Sequence, residues 1–72
     1  MNVLYTKQDC PMCGILKTKL DTAKIEYSEF TDETSMKLMG INVLPILEMD
    51  GQKLFFGQAV ALANKKIEEM DE

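Results

Sequence analysis

A chain of 72 residues with 46% hydrophobic content has room for one compact core, so neither intrinsic disorder nor a second domain is expected. Its net charge is −4, with lysine as its basic residue and no arginine or histidine, which excludes a phosphate-neutralising nucleic-acid surface and an anionic-membrane binder. The longest apolar stretch, residues 41–47, is broken by Asn42 and Pro45 and is far too short to span a bilayer.

Residues 2–6, Asn-Val-Leu-Tyr-Thr, are short and β-rich and predict a first strand. Lys7, Gln8 and Asp9 form a polar loop. Pro11 suits the first position of a helix, where its missing N–H costs nothing. From there Met12, Ile15, Leu16, Leu20 and Ala23 recur at helical spacing and define one inward face, with the helix ending near Ala23. Ile25 and Tyr27 alternate with Glu26 and Ser28, a second strand that ends at Phe30. Thr31 or Asp32 can cap a short helix, with Glu33 favourable in its first turn and Met36 and Met39 facing inward. Gly40 is placed to stop that helix in a left-handed conformation.

Residues 44–49 read as a third strand and 53–56 as a fourth, with Asp50-Gly51 between them as a two-residue hairpin turn. Phe55 and Phe56, adjacent in one strand, should point to opposite faces. Gly57 breaks the strand, and residues 58–70 predict a last helix with Val60, Ala63, Ile67 and Met70 inward. The order is β-α-β-α-β-β-α. Its simplest closure is an α/β domain with a four-stranded mixed sheet and helices on both faces, the first two strands parallel and the last two antiparallel.

The two cysteines, Cys10 and Cys13, lie three positions apart. A bond between them closes so short a loop that it removes little entropy from the unfolded chain, so chemistry explains the pair better than stapling. Residues 1–6 lack the basic-then-apolar order of a signal peptide, and a cytoplasmic protein is expected. In that reducing setting a CxxC pair reads as catalytic or metal-binding. It sits where a strand hands over to a helix. The first helical turn carries unsatisfied N–H groups and a partial positive charge, which lower a thiolate's pKa from its free value of about 8.5. Lys7 adds a nearby cation, while Asp9 should point to solvent. Cys10 is the expected exposed nucleophile, and Cys13, one turn on along the same face, the buried resolving thiol. With no histidine base, activation must be electrostatic.

Two other readings compete. Two cysteines without histidine leave a four-ligand shell incomplete, so no metal site is expected in one chain, but a dimer could pool four for zinc or an iron–sulfur cluster. The plainest reading is a pair of buried apolar cysteines with no role. A monomer is the default.

Tyr5-Thr6-Lys7-Gln8-Asp9-Cys10-Pro11-Met12-Cys13 resembles the glutaredoxin pattern of an aromatic, a polar residue, lysine, two variable residues and CPxC. Gly40-Ile41-Asn42-Val43-Leu44-Pro45 resembles the family's segment ending in a Thr-Val-Pro-like tripeptide. Asp50-Gly51 matches its hairpin and Gly57 its glycine after the fourth strand, so the likeness runs along essentially the whole chain.

The resemblance implies a thioredoxin fold and a thiol–disulfide oxidoreductase with Cys10 as nucleophile and Cys13 as resolving cysteine. It implies a cis Pro45 beside the cysteine pair, against the ordinary alternative of a trans proline opening a strand. The Leu44 backbone would pair with extended substrate as an added strand does. Lys7 would lie near the thiolate or a glutathione carboxylate, and Met12, Leu44, Pro45 and Gly57 would line the substrate or glutathione site, with Pro11 and Pro45 also structural.

The chain departs from the family at three points. Met12 stands where many members have an aromatic, although its thioether still offers a polarisable contact. Phe56-Gly57-Gln58-Ala59 replaces a Gly-Gly run followed by an acid, and there is no arginine to pair with a glutathione carboxylate. Two partnerships therefore stand open. One is a glutathione-coupled enzyme with glutathione as co-substrate and no tightly bound cofactor. The other is a redoxin fed by thioredoxin reductase that donates electrons to ribonucleotide reductase. A disulfide-bearing protein is the expected substrate class in either.

Overall fold

The structure, a computed structural model, describes residues 1–70. The elements run β1 (Val3–Tyr5), α1 (Pro11–Thr22), β2 (Ser28–Phe30), α2 (Glu33–Leu38), β3 (Ile46–Met49), β4 (Gln52–Phe55) and α3 (Phe56–Met70). One four-stranded sheet has the order β2-β1-β3-β4. β1 pairs parallel with β2, and antiparallel pairing joins β1 to β3 and β3 to β4. The chain is thus α/β with a mixed sheet and three helices, in the element order expected. Among the described residues no helix is long and apolar enough to cross a membrane.

Alternation along β1 and β3 splits the core into two layers. Leu4 and Leu47 join Leu16 and Leu20 of α1 and Ala59 and Ala63 of α3 on one side. Tyr5 and Ile46 face the other way and meet Met36 of α2 and Ile41. Tyr5 also packs edge-to-face on Phe30, ring centroids 5.5 Å apart.

The helix ends explain where the strands begin. Asp32 caps α2, its Oδ1 accepting the N–H groups of Thr34 and Ser35. At the other end Gly40 takes φ +79, its N–H donates to Lys37 O, and the Ile41 N–H donates to Met36 O, a Schellman motif. α1 ends in the same way with a lysine in the glycine position: Lys24 has φ +58, and the Lys24 and Ile25 N–H groups donate to Asp21 O and Leu20 O. Ile25 is thereby spent on closing the helix, so β2 starts at Ser28 rather than at residue 25. Asp50 and Gly51 both have positive φ between Met49 and Gln52, the two-residue turn that matches strand twist.

Other boundaries and faces differ from expectation. β3 opens at Ile46, after Pro45, and β4 covers Gln52–Phe55. Gly57 does not break the chain before a helix. It lies inside the first turn of α3, which begins at Phe56. The cause is Gln58, whose Oε1 accepts the Phe55 N–H at 3.0 Å, the reach-back half of a capping box. Met12, Ile15, Met39 and Met70, expected inward, are exposed. On α1 the inward stripe narrows to Cys13, Leu16 and Leu20, and α2 is a six-residue helix with Met36 as its buried residue. Of the adjacent phenylalanines, Phe56 packs on the α1–α3 core and Phe55 is exposed.

Candidate functional site

The loop after β1 turns sharply. Thr6 still donates its N–H to Phe30 O at 3.0 Å, continuing the ladder by one residue. Asp9 then takes φ 57 and Cys10 an extended conformation, and Pro11 opens α1. Cys10 is therefore the N-cap, a position usually filled by an oxygen-bearing side chain. Its sulfur does what such an oxygen does: the Cys13 N–H donates to Cys10 Sγ at 3.1 Å. Asp9 is exposed, as expected of it.

Cys10 and Cys13 are joined as a disulfide, their Cα atoms 5.2 Å apart. The two sulfurs differ in access. Cys10 is half-buried, whereas Cys13 is 1% exposed and stands one turn above Leu16 on the inward stripe of α1. An incoming thiol or disulfide meets Cys10 first.

The residues singled out by sequence are brought together only in part. Lys7 and Leu44 line one groove of about 180 Å³ with Glu33, Met36, Lys37, Ile41 and Asn42. Lys7 and Lys37 thus line the same groove, and among the described residues neither takes part in an ion pair, whereas Lys17 and Lys53 pair with Glu29 and Glu48. The groove lining combines two lysines, one glutamate and the apolar Met36, Ile41 and Leu44. Lys37 was not legible as a site residue, because α2 is too short for its exposed positions to declare a face.

The Leu44–Pro45 bond is cis, the isomer the resemblance implies. Pro45 is fully buried and Leu44 half-buried. Met12 and Gly57 are exposed and lie outside the groove lining. A larger hollow of about 1100 Å³ opens at the other end of β1 and β2, lined by residues such as Asn2, Asp21, Lys24 and Tyr27. It holds neither cysteine, and neither cysteine lines the Lys7–Leu44 groove.

Thr6, like Lys37, is not singled out as a site residue by the sequence. It is fully buried, and its Oγ1 has no hydrogen-bond partner. Among the described residues no three histidine, cysteine or acidic side chains gather as a metal-binding group. Compared with protein-family models, with curated proteins and with solved structures, the chain matches none.

Proposed function

We propose that the chain is a thiol–disulfide oxidoreductase with a thioredoxin-like fold, working by dithiol exchange through Cys10 and Cys13. One observation carries the reading: a closed CxxC pair at a helix N-terminus, with the Cys13 N–H on the sulfur of the more accessible Cys10. A hydrogen-bond donor and the helix dipole both favour negative charge on that sulfur, which is what a nucleophilic cysteine without a histidine base requires. The sheet order β2-β1-β3-β4 and the helices on both faces support the finer fold assignment.

The cycle begins from the dithiol. The Cys10 thiolate attacks one sulfur of a substrate disulfide, and the other substrate sulfur leaves as a thiolate with the electron pair. The chain then carries a mixed disulfide on Cys10. Cys13 loses its proton and attacks Cys10 Sγ, the Cys10–Cys13 bond forms, and the second substrate sulfur leaves as a thiolate. The substrate has gained two electrons and the chain is oxidised to the disulfide. Two electrons from an external thiol or a reductase restore it.

Glutathione is the first reductant to test, since Lys7 and Lys37 in one groove suit a carboxylate-bearing thiol. The oxidised protein is incubated with NADPH and a small disulfide substrate, in parallel with glutathione plus glutathione reductase and with thioredoxin reductase. Turnover in the first arm supports a glutathione-coupled enzyme. Turnover only in the second makes it a redoxin, with ribonucleotide reductase the first protein substrate to assay. Turnover in neither, or equal activity of Cys10→Ser, removes the catalytic reading.

A further inference from the structure

We infer that the Thr6 hydroxyl is the hydrogen-bond partner of the Cys13 sulfur in the reduced protein, making Thr6 a positioning residue for the resolving thiol. The inference rests on the dithiol-exchange reading of the cysteine pair.

Three observations lead to it. Thr6 is fully buried with Oγ1 unpartnered, although buried hydroxyls are as a rule paired because leaving one unmade is costly. Its backbone continues the β1 ladder through the bond to Phe30 O, so side-chain alternation extends to it. Leu4 faces α1 and α3, Tyr5 faces α2, and Thr6 returns to the α1 side. Cys13, Leu16 and Leu20 are the buried residues of α1, at the spacing that puts all three on the stripe lying over that same side. Cys13 is the first of them and Thr6 directly follows β1, so both stand where β1 hands over to α1.

In the disulfide, Cys13 Sγ is bonded to Cys10 and is a weak acceptor, and the hydroxyl goes unpaired. Reduction gives Cys13 an S–H that can donate to Thr6 Oγ1, and the thiolate that follows is a strong acceptor for the Thr6 O–H. The hydroxyl is then satisfied in the dithiol and orphaned in the disulfide. That asymmetry favours the reduced state. It also favours the Cys13 thiolate, the species that attacks Cys10 Sγ to expel the substrate thiolate from the mixed disulfide.

The test is the dithiol–disulfide equilibrium of wild type, Thr6→Val and Thr6→Ser against reduced and oxidised dithiothreitol, read by alkylation and mass. Valine keeps the shape and removes the hydroxyl; serine keeps the hydroxyl. Thr6→Val is expected to shift the equilibrium about tenfold toward the disulfide, about 30 mV more negative, with Thr6→Ser close to wild type. An unchanged equilibrium in Thr6→Val, or Thr6→Ser behaving like Thr6→Val, overturns the inference. The wild type supplies an independent readout. A downfield-shifted Thr6 hydroxyl proton, the mark of a hydrogen bond, is expected by NMR in the dithiol and not in the disulfide, and the same shift in both states also overturns it. Neither measurement uses turnover, so a failed enzyme assay and a failed Thr6 result are told apart.

Discussion

The backbone N–H of Cys13 donates to the sulfur of Cys10, 3.1 Å away, so in the proposed exchange cycle the residue that displaces the substrate would also help to charge the nucleophile. The two cysteines are therefore not interchangeable. Cys10→Ser is expected to lower turnover to the uncatalysed background. Cys13→Ser leaves the attacking sulfur and its N–H donor in place, and should accumulate a mixed disulfide on Cys10. Mass spectrometry after mixing with a small disulfide distinguishes them: a stable adduct on Cys13→Ser and none on Cys10→Ser.

Lys24 occupies, with φ +58, the position that Gly40 fills at the end of α2. A left-handed backbone costs a residue with a Cβ roughly 1–2 kcal/mol. Lys24→Gly is expected to stabilise the chain by up to about 1 kcal/mol, and Gly40→Ala to destabilise it by a similar amount. Paired denaturant titrations check both signs at once.

Leu20 is fully buried in the layer between α1, α3 and the sheet. Its truncation to alanine should cost about 2–5 kcal/mol. A chain of 72 residues has a total stability on the order of 4–11 kcal/mol. Leu20→Ala should therefore remove a large share of the stability and lower the unfolding midpoint markedly, whereas Phe55→Ala, at an exposed position, should leave the midpoint nearly unmoved. Circular dichroism of the two variants side by side makes the comparison.

Both tyrosines resist ionisation in the native state. Burial, reinforced by the hydrogen bond its hydroxyl donates to Asp21, pushes Tyr27 up to about 12. Burial and the bond to Glu48 raise Tyr5 as well. A phenol that keeps its proton where the unfolded chain releases it contributes stability that is whole below the unfolded value of about 10. That contribution is lost as pH rises from there toward about 12. Phenolate absorbance should appear later in native than in denatured protein, and Tyr27→Phe should remove the higher-lying step.

Much of the architecture was legible because it is written locally. Pro11 after Cys10, the Asp32 cap, Gly40 and Asp50-Gly51 each set a boundary within a few residues of themselves. What was misread depended on distant or competing partners. Gln58 recruits Phe56 and Gly57 into α3 through a bond to Phe55, which outweighs the usual reading of glycine as a breaker. Met39 and Met70 keep helical spacing but fall where no layer covers them. At the site, the cysteines and the cis proline were marked by motif. Lys37 and Thr6 gained meaning only when the fold brought Lys37 to the groove that Lys7 lines and buried the Thr6 hydroxyl unpaired.

The outer strands of the sheet, β2 and β4, have three and four residues, and each contributes to one of the two ion pairs among the described residues: Lys17–Glu29 at β2 and Lys53–Glu48 at β4. Worth little to folding, such charges matter for what they repel. A second copy approaching either margin to extend the sheet would have to strip water from a charged side chain within a strand's length. For an 8.2 kDa protein whose sheet ends on two short strands, the charge on each margin works against edge-to-edge growth into fibres.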